Sequence, residues 1–511
     1  MELQDKKLYI RKKNETYLEV LAVDSILFSL SDFFSFFVPG HQFMPKFRMK
    51  VWNGKLHLFN RNTCELYVGL REHIKEYARM HGYEVIYTDG DLDIEDEFSV
   101  LEAESFVNSL KLHAKRIEDK KDVFIPIQPH QYQVDALRHS IQSKRCLLLS
   151  PTASGKSLII YMLLRYYQKI VNGKILIIVP TVNLVQQLYT DFGEYSYDDT
   201  WDVRNEIHMI YQGQEKNSDK QIIVATWQSI YNMPLDYFAQ FDVVIGDECH
   251  GFKANSLKGI MEKSYLAQYR FGTTGTLDDT KIHKLVLEGL FGKVYKVTTS
   301  DKLIQSKILS DIQINCLMLY YPEPICKIMK DAKYHDEVSY LVEHKIRNKF
   351  IRNLALSLKG NTLVLFQFVA KHGDILYEDI KNKAGDGRKV FFISGKIETE
   401  IREQIRKITE KETDAIIVAS FGTYSVGVNI RNLHNIIFAS PAKSRIRVLQ
   451  SLGRGMRKGD VKDKLNLYDI SDVLQYKSHQ NYTLKHFLKR MEIYNSEKFS
   501  YKIFKVKLKD A

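Results

Sequence analysis

Gly155-Lys156-Ser157 closes a loop that starts at Ser150 and follows the apolar run 146–149. A loop of this kind opening a helix offers backbone N–H groups to phosphate oxygens. Lys156 would reach the β and γ phosphates of a nucleoside triphosphate, and the Ser157 hydroxyl would ligate Mg²⁺. Pro151, Thr152, Ala153, Ser154 and Gly155 would form the cradle itself. The usual pattern, G-x-x-x-x-G-K-[ST], has glycine where this chain has Ser150, and the added Cβ is tolerable only at negative φ. Asp247-Glu248-Cys249-His250 comes at the end of another apolar run, 243–246. Two adjacent carboxylates are costly without a cation. Beside a phosphate loop, Asp247 would hold Mg²⁺ and Glu248 would act as general base on the attacking water. Taken alone, the pair also fits a helix N-cap and first turn. Gln450, Gly453, Arg454 and Arg457 recur at helical spacing, a stripe whose two guanidiniums can engage a γ phosphate and neutralise charge during phosphoryl transfer.

Such groups need a frame, and the chain repeats one theme from residue 138 onward. Apolar runs at 146–149, 175–179, 222–225 and 243–246, then at 363–366, 390–393, 416–419 and 436–438, each lead into a polar loop and a helical pattern. Runs buried on both faces that alternate with helices predict parallel sheets, with ligands beyond the carboxyl ends of the strands. The expected fold is α/β: two tandem parallel-sheet domains behind a small N-terminal α/β or α+β unit. Its parts are an N-terminal accessory domain over 1–100, a linker helix over 101–125, an ATP-binding domain over 126–300, a second domain over 301–476 and a basic tail over 477–511. The end of that tail, 499–509, alternates apolar with basic residues, which fits either a lysine-protected edge strand or a phosphate contact.

The chain has 511 residues, 44% hydrophobic and 27% charged, with a formal charge of +12. That balance favours a polyanionic partner, or simply a solvated surface. Five scattered cysteines without a C-x-x-C pair suggest neither a zinc knuckle nor a disulfide framework, and read as reduced thiols in a cytoplasmic protein. No apolar run has the length to span a bilayer, so no membrane partner is expected. Lys46, Arg48, Lys50 and Lys55 interleave with aromatics around Trp52, where Asn53-Gly54 suggests a hairpin turn. The cations could contact phosphates and Trp52 could stack on a base, whereas Phe47 reads as core.

Gly155-Lys156-Ser157 followed by Asp247-Glu248-Cys249-His250 resembles motifs I and II of superfamily 2 helicases. Further matches follow in that family's order. Gln133 is similar to the glutamine that reads adenine, a role its amide suits as both donor and acceptor. Pro180 and Thr181, then Thr226 and Trp227, resemble segments laid along the nucleic-acid backbone. Thr273-Thr274-Gly275-Thr276 stands where the family carries its coupling motif, which joins His250 to Thr274 and Thr276. Ser420 to Thr423, with Gly427-Val428-Asn429, resembles motif V, and Gln450 to Arg457 matches motif VI. Asn429 stands where many relatives carry Asp, which puts a ribose or arginine link in doubt. The resemblance implies RecA-like domains and an ATP- and Mg²⁺-dependent DNA helicase, a monomer in solution. The basic N-terminal segment resembles that of recombination and repair helicases that act on forks, Holliday junctions and R-loops with their RNA–DNA hybrid. A duplex translocase that does not separate strands, or an annealing protein whose ATPase switches affinity, are the alternatives.

Overall fold

Alternating apolar residues make Lys7–Lys12 (β1) and Tyr17–Leu21 (β2) an antiparallel pair, in which Leu8, Ile10, Leu18 and Val20 point into one core. Ser35–Phe37 (β3) and Lys55–His57 (β4) form a separate two-stranded pair. Glu65–Tyr67 (β5) and Glu84–Tyr87 (β6) complete a mixed sheet of order β5-β2-β1-β6. The helix Arg71–His81 buries Ile74, Tyr77 and Ala78, and ends on Gly82 at φ 68°. The structure is a computed structural model that describes residues 4–89, 96–118, 121–251, 254–277, 281–385, 387–427, 430, 432–441, 444–456 and 464–508. The chain divides into two units, Met1–Ser150 with Gly155–Val297 and Pro151–Ser154 with Thr298–Ala511.

The expected two-residue hairpin at Asn53-Gly54 does not form. β3 and β4 are joined by all of 38–54, which contains the short helix Pro45–Arg48. Pro45 at the first helical position presets φ and starts that helix, and Lys50 takes φ 57°, so no strand precedes Asn53 to pair with β4 across Asn53-Gly54. Phe47 is half-buried, edge-on to His41 at 4.8 Å, rather than a core residue.

The expected linker helix is also shorter. A capping box of Ser99 and Glu102 starts the helix Val100–Ser109, after which His113–Glu118 (β7) and Lys121–Pro126 (β8) pair as an antiparallel hairpin. β-branched Val123 and Ile125 favour extension there, and Phe124 stacks on Tyr197 at 3.8 Å. Phe98, Ala103, Val107, Leu110 and Leu112 enter the same core as Val134 and Leu137, so this segment is built into the first parallel-sheet domain.

That sheet consists of Arg145–Leu149 (β9), Lys174–Val179 (β10), Ile207–Ile210 (β11), Ile222–Thr226 (β12), Phe241–Gly246 (β13), Tyr269–Thr274 (β14) and Val294–Lys296 (β15). Its order is β11-β12-β10-β13-β14-β9-β15, parallel throughout. The second unit contains Asp311–Tyr320 (β16), Thr362–Phe366 (β17), Val390–Ile393 (β18), Ile416–Ser420 (β19), Asn435–Phe438 (β20), Lys464–Val473 (β21) and Ser500–Lys507 (β22). Their order, β18-β19-β17-β20-β21-β16-β22, is the first sheet's order advanced by seven strands. The two sheets therefore share one topology, that of tandem RecA-like domains.

Over its described residues, 477–508, the expected basic tail is built into the second sheet domain. The helix Tyr482–Ser496 buries Leu484, Phe487, Ile493 and Tyr494, and its Arg490 pairs with Asp469 of β21 at 2.8 Å. β22 lies parallel to β16 as the sheet's last strand, with Lys502, Lys505 and Lys507 exposed, which is the edge-strand alternative. Among the described residues, no helix is long and apolar enough to cross a membrane.

Candidate active site

The loop after β9 is held at its start by the Ser150 N–H, which donates to the Thr274 carbonyl of β14 at 2.9 Å. Left-handed backbone falls at Ala153 (φ 67°) and Gly155 (φ 77°) but not at Ser150, so the serine Cβ costs nothing there. Glycine suits position 155 by its φ, and a Cβ there would also lie 2.3 Å from Gln133 Nε2, so that amide would have to shift. The helix Lys156–Tyr167 follows without a side-chain cap, which leaves its first N–H groups to an anion. Gln133 is buried against this loop, its Oε1 accepting from the His130 N–H at 2.8 Å.

The acids follow β13. Glu248 takes φ 50°, which for a non-glycine residue costs on the order of 1 kcal/mol. Lys156 Nζ meets Glu248 Oε1 at 2.5 Å, and His250 Nδ1 lies 3.3 Å from Oε2. The same His250 nitrogen is 2.7 Å from Thr274 Oγ1, and the Thr274 hydroxyl donates to the Thr276 carbonyl at 2.7 Å. Asp247 Oδ1 accepts from the Thr273 hydroxyl at 2.5 Å and from the Glu248 N–H at 2.9 Å. Residues beyond the carboxyl ends of three neighbouring strands, β9, β13 and β14, thus converge on one point.

Burial pushes the Asp247 carboxyl up to about 6, reinforced by the Glu248 charge beside it. Burial also presses Glu248 upward, but Lys156 and then His250 outweigh it and bring that carboxyl down to about 2. Burial lowers His250, which favours the neutral imidazole. The two acids affect stability in opposite directions. Glu248 stabilises the fold above its ordinary range, and that contribution is lost as pH falls towards about 2. Asp247 binds its proton more tightly when folded, so ionising it costs stability as pH rises from about 4 to about 6. Asp247→Asn is therefore expected to raise the thermal midpoint at pH 7.5 by about 2 °C for each kcal/mol relieved. The gain should shrink as pH falls from 6 to 4; a midpoint unchanged or lowered at pH 7.5 would contradict it.

The candidate nucleic-acid contacts are partly gathered. Val179 of β10 pairs in register with Thr226 of β12, and Gln228 Nε2 donates to the Pro180 carbonyl at 3.2 Å, so the loops with Pro180, Thr181, Thr226 and Trp227 lie together. The Thr181 hydroxyl is buried without a hydrogen-bond partner, as is that of Thr276. Thr226 Oγ1 meets Ser229 Oγ at 2.8 Å. At the equivalent place in the second sheet, after β19, Ser420 Oγ meets Thr423 Oγ1 at 2.8 Å. Lys46, Arg48 and Lys50 are exposed on and just after the helix Pro45–Arg48, next to exposed Phe43, Met49 and Val51. Lys55 is committed over the Phe37 ring, and half-buried Trp52 donates its indole N–H to the Lys55 carbonyl at 2.8 Å.

Gln450, Gly453 and Arg454 belong to the helix Arg445–Gly455, and Gly427 closes the helix Phe421–Gly427. Arg457, Val428 and Asn429 lie outside the described residues. Two contacts escape sequence reasoning. Thr273 belongs to a motif but carries no sign of its bond to Asp247. Tyr195, whose hydroxyl is 2.9 Å from Ser157 Oγ, gives no signal at all.

Three family descriptions match the chain: "DNA helicase UvsW, N-terminal" over residues 7–89, "Type III restriction enzyme, res subunit" over 126–279 and "Helicase conserved C-terminal domain" over 346–459. The chain is 32% identical over 501 residues to the ATP-dependent DNA helicase uvsW of Enterobacteria phage T4, covering 95% of this chain and 97% of that one. The crystal structure of T4 UvsW superposes with a TM-score of 0.52 at 31% identity, covering 98% and 100% of the two chains. The restriction-modification enzyme LlaBIII, at 15% identity and a TM-score of 0.56, covers 84% of this chain and 34% of its own length and supports the fold alone.

Proposed function

The chain belongs to the UvsW family of superfamily 2 ATP-dependent DNA helicases, and we propose that it acts on branched DNA, unwinding or migrating forks, Holliday junctions and R-loops in recombination and repair. The observation that carries the catalytic part is the ion pair of Lys156 with Glu248 beside buried Asp247. Arrival of the triphosphate draws Lys156 to the β and γ phosphates and releases Glu248 to take a proton from the attacking water. Gln133 reads the adenine. Gln450, Arg454 and Arg457 are assigned to the γ phosphate and Gly427 to the nucleotide, by their motifs. His250, Thr274 and Thr276 form a hydrogen-bonded chain that reports the state of Glu248 to the strand-end loops.

The site suits Mg²⁺. Burial and the charge of Glu248 hold the Asp247 carboxyl up even with Lys156 nearby, so further positive charge would be favoured there, and Ser157 adds a hydroxyl. Among the described residues no three His, Cys, Asp or Glu side chains are arranged to hold a metal ion by themselves, so the ion would rest on Ser157, Asp247 and phosphate oxygens, as Mg²⁺ commonly does. When bound, it supplies neutralisation of the triphosphate charge.

DNA backbone contacts are assigned to Pro180, Thr181, Thr226 and Trp227, and to Ser420 and Thr423. The hydrogen bond from Gln228 Nε2 to the Pro180 carbonyl, which gathers the two first-domain loops, supports this. Lys46, Arg48 and Lys50, with Lys55 and the Trp52 ring, would grip the branch. The match of residues 7–89 to the UvsW N-terminal family supports the branched-substrate reading. We take the protein to work as a monomer in the cytoplasm, that of the host cell if it is phage-encoded. The test is ATP hydrolysis and strand displacement on single-stranded, linear duplex, forked and R-loop substrates. Forked DNA and R-loops should stimulate hydrolysis most and be unwound. Equal stimulation by linear duplex without strand separation would indicate a translocase instead, and annealing indifferent to hydrolysis would indicate a binding protein.

A further inference from the structure

Tyr195 is the last residue of the helix Val182–Tyr195, and its hydroxyl lies 2.9 Å from Ser157 Oγ. It is firmly placed: its ring centroid is 5.5 Å from that of Tyr161, one helical turn beyond Ser157, and Tyr161 also packs on Phe192 and Trp201. A serine hydroxyl that ligates a dication must turn a lone pair to the metal and send its hydrogen elsewhere. The phenol oxygen at 2.9 Å is an acceptor for that hydrogen. The other end of the same helix follows Thr181, whose hydroxyl is buried and unpartnered. Fourteen residues of helix, about 21 Å, separate the two ends.

We propose that Tyr195 is a positioning residue for Ser157. It holds the serine hydroxyl in the orientation that Mg²⁺-nucleotide binding requires, and it ties that hydroxyl to the helix that begins at the proposed DNA contact Thr181. The inference rests on the reading of Ser157 as the magnesium ligand. Nothing in the sequence marks Tyr195 for this role, and no bond is made or broken by it.

The test is the affinity of the full-length protein for a fluorescent ADP analogue, titrated with Mg²⁺ and repeated in EDTA, so that turnover plays no part. Tyr195→Phe keeps the ring packing and removes the hydroxyl. It should leave the EDTA affinity unchanged and weaken the Mg²⁺-dependent gain by about tenfold, the usual size of an outer-shell effect. In a Ser157→Ala background the same substitution should have no further effect, since the two hydroxyls act as one unit. Single-stranded DNA should shift the Mg²⁺ midpoint of the wild type and shift that of Tyr195→Phe less. An unchanged or tightened Mg²⁺ midpoint in Tyr195→Phe, or additive losses in the double variant, would overturn the proposal. A wild type whose ADP affinity ignores Mg²⁺ would show that the magnesium reading itself fails, and the role of Tyr195 with it.

Discussion

Glu248→Gln should lower ATP turnover by about three orders of magnitude while nucleotide and DNA binding persist. Loss of a positioned general base costs about 10²–10⁴-fold, and the amide cannot take a proton from water. The side chain keeps its length, so φ 50° at this position and the contact with the Gly275 N–H remain possible. The substitution also breaks the 2.5 Å ion pair with Lys156, in which both partners are largely buried. Lys156 then has no carboxylate to leave when phosphates arrive, so ATP should bind as tightly as in the wild type or more so. Lys156→Ala gives the opposite pattern, with nucleotide affinity and turnover falling together. Steady-state hydrolysis with saturating DNA, alongside equilibrium nucleotide binding, separates the two. Turnover above a tenth of wild type in Glu248→Gln would remove this residue from the role of base.

The apolar runs that betray β9, β10, β12, β13 and β17 to β20 are strands whose buried faces hold almost nothing polar. β14 and β21 escape the same reading because they bury charge. Arg270, fully buried in β14, donates to the carbonyls of Met261, Ser264 and Ala267 and to Thr16 Oγ1. Asp469 and Asp472 in β21 are met by Arg490 and Arg347. Each ion or donor set satisfies a group that composition alone places at the surface. β16 alternates buried with exposed or half-exposed positions over its first five residues, Asp311 to Asn315, so only its second half, from Cys316 to Leu319, presents an apolar run. The phosphate loop and the acids are legible because their chemistry demands fixed residue types at fixed local spacing. Tyr195 stands 38 positions from Ser157 and is brought to it only by helix packing. The hairpin β7–β8 was hidden for another reason: its charged residues suit a solvated helix equally well, and the stack of Phe124 on Tyr197 that favours extension is a tertiary contact.

Gly69→Ala should be among the most destabilising single-methyl additions in the first unit. Gly69 sits in the turn Val68–Leu70, where a Cβ would fall 2.0 Å from the Glu288 carbonyl oxygen and 2.7 Å from that of Gly289. Those atoms are backbone of the helix Lys281–Phe291, so no rotamer change can relieve the clash. The N-terminal sheet is joined to the parallel-sheet domain all around this point. One buried cluster runs from Leu8 and Ile10 through Leu70 and Ile74 to Leu257, Met261, Leu287 and Phe291. Tyr67 and Tyr17 donate to Glu262, Arg270 to Thr16, and Arg145 to Glu15. The helices met by this surface, Ala254–Lys263 and Lys281–Phe291, follow Asp247–His250 and Thr274–Thr276 in the chain, so the N-terminal sheet rests on the elements that leave the candidate site. Overpacking costs about 1–3 kcal/mol where neighbours can yield, and backbone on backbone should reach the top of that range. The control is Gly259→Ala, in the helix Ala254–Lys263, where a Cβ meets nothing within 4 Å. It should leave stability unchanged or raise it by up to about 1 kcal/mol through helix propensity. Thermal unfolding should therefore fall by several degrees for Gly69→Ala and hold for Gly259→Ala, with DNA stimulation of hydrolysis lost only in the first. If both variants unfold like the wild type, the N-terminal sheet does not depend on this junction, and its coupling to the ATP site must run through other contacts.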